Sequence, residues 1–226
     1  MAEWIKCTIG DLCETISDTY KRKDEQVVLI NTSDVLEGKV LNHTPVQNKS
    51  LKGQFKKTFK KNDILYSEIR PANKRFAFID FESTSNYIAS TKLMVLRHND
   101  KVLPEYLFAI LKSNYVLTEL QHLAETRSGT FPQITFSSEL APMEVNLPDK
   151  KTQKQIVSIL SSIEQKMYTN YDINNNLPPH LCVARIAAKQ RRQTPQTDGC
   201  LHTDGKVSVR GDNEETAEQF SSLLAA

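Results

Sequence analysis

The stretch from Leu147 to Leu177, LPDKKTQKQIVSILSSIEQKMYTNYDINNNL, constrains this chain most. Pro148 suits the first turn of a helix, where its missing N–H leaves no bond unmade. Asp149 beside it favours the positive end of the helix dipole. Ile156, Leu160, Ile163 and Met167 follow at alternating spacings of four and three, and Asn170, Asn174 and Leu177 continue the register. That spacing predicts one apolar seam. Lys154, Ser158, Ser161, Ser162, Glu164 and Lys166 give the opposite face a solvated character. A helix of about thirty residues extends about 45 Å. Periodicity leaves two readings open: an amphipathic helix packed on its own domain, or an arm that pairs with a second helix. Asn at two seam positions suits pairing, because a buried Asn fixes register and partner number at a cost in stability.

The 226 residues suffice for one sizeable domain and an appendage, and 39% apolar with 25% charged residues is ordinary for a globular chain. No apolar run approaches the ~18 residues of a membrane span, and MAEWIKCTIGDLCE lacks a signal peptide's apolar core. The expectation is a cytoplasmic protein without a membrane partner. Four cysteines, Cys7, Cys13, Cys182 and Cys200, are too few for a disulfide scaffold. The net charge of +2 conceals a strong local excess. Between Gly38 and Phe78 ten basic residues face only Asp63 and Glu68, leaving that segment at +8. Such a segment is the electrostatic footprint of a polyanion partner, or else a solvated lysine-rich loop.

Along the chain, Trp4 to Leu12 suggests a short strand, a turn and a helical start. Val27 to Val35, Asp63 to Ile69, Arg75 to Phe81, Lys92 to His98 and Met143 to Leu147 read as strands. The second and third of these form a hairpin broken by Arg70-Pro71. Pro104 to Gln121 has helical periodicity. The expected class is α+β: a mixed α/β domain over residues 1–146, one long coiled-coil-type helix over 147–177, and a mostly disordered tail over 178–226. Pro178-Pro179 stops the helix, and only nine of the tail's residues are Leu, Ile, Val or Phe, too few for a core.

Catalytic patterns are missing. There is no glycine-rich phosphate loop and no Asn-Pro-Pro-aromatic motif. Asp80, Glu82 and Lys92 are too loosely spaced for a metal-dependent nuclease, and His43, His98 and His122 have no Ser or Cys arrangement around them. His180, Cys182, Cys200 and His202 match no zinc spacing. No cofactor or metal is expected, and the chain reads as a binder. Lys56, Lys57, Lys60 and Lys61 are point charges suited to phosphates. Arg70, Lys74 and Arg75 sit where a strand turns back and suit guanine edges. Arg127, Thr130 and Gln133, in the loop before the long helix, are candidates for base or backbone contact.

Five stretches, in order over residues 3 to about 176, together resemble the specificity (S) subunit of type I restriction–modification systems. Trp4-Ile-Lys-Cys-Thr-Ile-Gly10-Asp11-Leu12 resembles the family's W-x-x-x-x-L-G-D-I entry. Leu29-Ile-Asn-Thr-Ser-Asp34-Val35 with Gly38 resembles Y-I-x-x-x-D-I-x-x-G. Asp63-Ile-Leu-Tyr-Ser67 is similar to G-D-I-L-x-S, with Asn62 where the family often has Gly. Ser128-Gly129 through Pro132-Gln-Ile resembles S-G-x-x-x-P-x-L. Leu147-Pro148, Gln153, Gln155-Ile156-Val157 and Leu160 resemble the opening of its conserved helix. The resemblance implies a non-catalytic subunit that reads half of a split DNA target. It implies modification (methyltransferase) subunits docked through the helix, and a restriction subunit joined through the complex. One recognition domain and one helix make this chain look like a half-subunit, so the resemblance favours pairing through Ile156, Leu160, Ile163, Met167 and Asn170, as a homodimer. The competing reading is an adaptor or decoy that holds the methyltransferase without reading DNA.

Overall fold

A computed structural model describes residues 4–49, 53–127 and 130–176. The tail from 178 to 226 and its His180, Cys182, Cys200 and His202 set lie outside the described residues, as do Lys52, Ser128, Gly129 and Leu177.

The chain opens with β1 (Trp4–Thr8), a single 3-10 turn (Ile9–Asp11), β2 (Cys13–Ile16) and β3 (Gln26–Ile30). A tight hairpin of β4 (Val35–Leu36) and β5 (Lys39–Val40) follows, then β6 (Val46–Gln47) and β7 (Phe55–Lys57). Next come β8 (Ile64–Ser67) and β9 (Phe76–Phe78), which form the expected hairpin with Ile64 opposite Phe78. Then come β10 (Tyr87–Ser90), β11 (Leu93–His98), α1 (Pro104–Leu111), α2 (Asn114–Arg127), β12 (Glu144–Pro148) and α3 (Lys150–Asn175). One antiparallel sheet has the order β2-β11-β8-β9. A second has the order β6-β3-β10-β7, with β3 and β10 parallel. β1 and β12 pair antiparallel from Trp4 opposite Pro148 to Thr8 opposite Glu144.

The central strand β8 is covered on both faces. Side chains alternate across a strand. Ile64 and Tyr66 therefore join Met94, Leu96, Tyr106 and Leu107 under the helices. Leu65 points the other way, into Val28, Ile30, Ala77 and Val95. The polar start of this strand is satisfied internally: buried Asp63 accepts from Arg97 Nε at 2.8 Å and Nη2 at 2.7 Å, and from the Lys60 amide at 2.8 Å. A two-pronged carboxylate–guanidinium pair joined by a backbone donor is the arrangement that makes burial of charge tolerable.

Several motif positions turn out to be backbone requirements. A Cβ on Gly10 would stand 3.1 Å from the Ala141 Cβ, in the segment whose carbonyl accepts the Gly10 amide at 2.9 Å. Gly38 has φ +100°, in the β4–β5 turn. Asn62 adopts φ 69°. Asn is among the few residues that enter the left-handed region readily, so it meets there a demand that glycine would also meet. Asp11 and Asp34 each close a capping box over a 3-10 turn, with Thr8 and Asn31 as the caps.

Two expectations need correction. The single helix over 104–121 is two, because Lys112 and Ser113 interrupt it. The Ser113 hydroxyl accepts the Val116 amide at 3.4 Å, an N-terminal cap that starts α2 afresh, and α2 runs on to Arg127. Leu147 and Pro148 do not open the long helix; they finish β12, where proline is accepted at a strand end. Asp149 is the cap of α3, accepting from the Thr152 amide at 3.1 Å.

Two compact units divide the described residues, one through Val157 and the other from Ser158. In the first, Gln153 is 1% exposed; its side chain accepts from the Leu103 amide and donates to the Pro148 carbonyl, both at 2.9 Å. Ile156 and Val157 pack on the helical core. In the second, Ile159, Ile163, Met167, Tyr168, Tyr171 and Ile173 are all exposed, Met167 at 64%. Among the described residues no helix is long and apolar enough to cross a membrane.

Candidate nucleic-acid interface

The ten residues singled out for a polyanion divide into those tied inward and those left outward. Lys57 is turned in: its ammonium donates to the Leu93 carbonyl at 2.8 Å and lies 3.9 Å from Glu68. Burial pushes its pKa below the usual lysine value; Glu68 opposes that shift and Lys92 adds to it. Lys61 bonds Glu82 at 2.5 Å, which raises its pKa. Lys74 lies 3.6 Å from Glu37. Arg75 donates to the Ser33 and Val35 carbonyls at 3.1 and 3.4 Å, bracing β9 against the β4–β5 hairpin. Arg127 pairs with Glu139 at 3.0 Å. Lys56, Lys60, Arg70 and Thr130 are exposed and have no side-chain partner among the described residues.

Two separate sequence candidates, the Arg70 turn and the Thr130–Gln133 segment, are knitted into one rim. Ile69 bridges Gln133, the Arg70 amide donates to the Pro132 carbonyl at 3.1 Å, and the Ile134 amide donates to the Glu68 carbonyl at 2.8 Å. The other side of the turn is held by α2, where Gln121 accepts the Ala72 amide at 3.0 Å. Within the turn, Arg70 and Lys74 both take left-handed angles, φ 47° and 51°, on either side of a 3-10 turn at Pro71–Asn73. Non-glycine residues at such angles cost about 1 kcal/mol each, and such strain concentrates at functional loops. The rim's far segment is equally well anchored. Pro132 and Ile134 are buried, while Glu139 takes the Thr135 amide at 2.6 Å and holds Arg127. Phe131, between these anchors, is 49% exposed.

Of the four lysines, Lys57 is turned inward and Lys61 is paired with Glu82. Lys60 and Lys61 lie at the entry to β8, and Arg70 lies past its exit, about 13 Å of strand away. Of the loosely spaced Asp80, Glu82 and Lys92, the two acids both act on Lys61, whereas Lys92 faces Glu68 at 3.9 Å. In the sequence Glu68 opposes the basic segment and is a candidate partner for Arg70 or Arg75; in the structure Arg75 takes the Ser33 and Val35 carbonyls instead. The contacts of Glu68 with Lys57, Lys92 and Gln133 come from three distant stretches and leave no local signature.

The described residues thus define a mixed α/β binding unit with an exposed arginine turn, followed by a helix bearing an exposed apolar stripe. Residues 1–178 match the family described as the type I restriction modification DNA specificity domain, and the chain belongs to that family. It is 46% identical over 180 residues to the type I restriction enzyme HindI specificity subunit of Haemophilus influenzae, covering 78% of this chain and 39% of that one. Among solved structures it resembles the HsdS subunit from Thermoanaerobacter tengcongensis, with a TM-score of 0.65 at 19% identity over 88% of this chain and 51% of that one. A chain from a study of complex assembly and conformational transition in the type I R-M system is similar, with a TM-score of 0.66 at 17% identity over the same shares. The likeness to these structures is one of fold. The chain spans 39% of the length of its curated relative and 51% of these solved chains.

Proposed function

We propose that this chain is a non-catalytic, sequence-specific DNA-recognition subunit of a type I restriction–modification system, acting in the cytoplasm on one half of a split target. Residues 1–146 read duplex DNA. The helix α3 docks the modification subunit and pairs with the helix of a second copy, and the restriction subunit joins through the complex. The observation that carries this reading is the rim: an exposed arginine turn and an anchored loop, joined by backbone hydrogen bonds in a chain of the DNA specificity family.

The division of the ten candidates refines their roles. Lys56 and Lys60 act as phosphate contacts, which position without reading sequence. Arg70 and Thr130 are the base-edge or groove contacts. Lys57, Lys61, Lys74, Arg75, Arg127 and Gln133 support the surfaces that carry them.

Enrichment from a pool of randomised duplexes tests the proposal directly. The purified chain, with or without its methyltransferase, should enrich duplexes sharing a short common element; recovery of a random pool would sink it. Arg70→Ala should then cost about 1–3 kcal/mol on the enriched duplex and little on the unselected pool. Lys56→Ala should weaken both alike and reduce the salt slope by about one unit.

A further inference from the structure

We infer that Glu68 is a positioning residue for DNA reading: its carboxylate sets the Arg70 turn against the Thr130–Gln133 segment, so that the chain discriminates among sequences at the expense of bare affinity. The inference rests on the DNA-reading proposal above.

Glu68 is the point where four segments meet. Its carboxylate accepts from Gln133 Nε2 at 3.1 Å and lies 3.9 Å from both the Lys57 and the Lys92 ammonium groups. Its backbone is fixed on both sides as well, the amide donating to the Lys92 carbonyl at 3.0 Å and the carbonyl accepting from Ile134 at 2.8 Å. Lys57 is itself held by the Leu93 carbonyl, so the cluster's partner from β7 cannot swing freely to solvent. Arg70 is two residues on, at a left-handed angle that only a well-determined surrounding maintains.

The electrostatics explain why a carboxylate here is more than filler. A negative charge at the foot of a polyanion-binding turn repels phosphate, so it lowers affinity for every duplex alike. What it supplies in return is geometry, since a guanidinium reads a guanine edge only when both prongs are aligned. A glutamine at this position would leave Lys57 and Lys92 without their countercharge, and an alanine would also release one tether of the Gln133 segment. The expected result is tighter and less selective binding.

The test measures affinity for two probes, a duplex enriched by the wild-type protein and the unselected random pool, at several salt concentrations. Glu68→Gln preserves the shape of the side chain and is the main variant; Glu68→Ala extends it where circular dichroism shows a native fold. Glu68→Gln should bind the random pool a few-fold more tightly and lose about tenfold of the discrimination between the probes, with no fall in salt slope. In an Arg70→Ala background the same change should remove no further discrimination, because Glu68 acts through the arginine. Unchanged discrimination in Glu68→Gln, an equal weakening on both probes, or losses that add to those of Arg70→Ala would each overturn the inference. A wild-type protein that enriches no sequence would overturn the parent proposal and take this one with it, an outcome visible before any Glu68 variant is made.

Discussion

The first two turns of α3 and the turns that follow share one apolar register and differ in what they touch. Gln153, Ile156 and Val157 belong to the α/β unit: a buried amide bonded to Leu103 and Pro148, and two aliphatic side chains on the helical core. Beyond Val157 the same register offers apolar side chains to solvent, with Ile163 42% and Met167 64% exposed. Periodicity specifies which face of a helix is apolar and is silent on what covers it. The first turns meet the reading of a helix packed on its own domain, while the exposed later turns leave pairing as a proposal. An exposed aliphatic and aromatic stripe of this length is the kind of surface that a partner helix covers.

The strongest way to break that comparison is to charge the later turns. L160D/I163D should abolish self-association, seen as a fall in mass by light scattering, while the thermal midpoint and circular dichroism of the α/β unit stay as in the wild type. Loss of the fold in that variant would mean that these turns serve the core after all. A smaller effect is expected at the other end. Gln153→Leu leaves the Leu103 amide and the Pro148 carbonyl without partners and should cost about 2–4 kcal/mol in urea unfolding, with association unaffected in the fraction that remains folded. A loss under about 0.5 kcal/mol would show that the first turns are not integral to the unit.

The smallest effect sharpens the boundary between strand and helix. Hydrogen bonding from Thr152, its side chain first and then its backbone, holds the Asp149 pKa below the usual aspartate value. Its contribution to stability is therefore complete above the ordinary aspartate pKa and is lost as pH falls through the lowered value. Asp149→Asn keeps a capping side chain but cannot titrate, so its stability should fall less steeply in acid than that of the wild type. Identical acid profiles would remove Asp149 from the account of where α3 begins.

Much of the framework was legible because its signals are local. The β8–β9 hairpin announced itself through two apolar stretches and the Arg70-Pro71 break, and the long helix through its spacing. The family-like residues proved to be those whose backbone or caps leave little choice: Gly10 against Ala141, Asn62 and Gly38 at positive φ, Asp11 and Asp34 in capping boxes. β10 stayed hidden because Tyr87–Ser90 is short and draws its order from β3 and β7, both far away in sequence. The site was half legible. Its arginine turn and its second loop were found one at a time, but nothing in the sequence joins Ile69 to Gln133. The inward turn of Lys57 also depends on a carbonyl 36 residues on. Charge density marks the basic segment; only tertiary contacts separate a lysine that can meet a phosphate from one that braces a loop.

The pairing of β1 with β12 bears on how such a protein changes over time. Trp4 stands opposite Pro148 and Thr8 opposite Glu144, so the polypeptide enters the α/β unit and leaves it along adjacent, hydrogen-bonded tracks. A block with neighbouring ends can be lifted out of one gene and set into another at a single point, and the flanking sequence needs no new geometry to receive it. Everything that determines the rim, from Glu68 and Arg70 to Gln133, lies between those two strands. Crossovers flanking those two strands would transfer the complete rim in one event and leave the apolar stripe beyond Val157 unchanged.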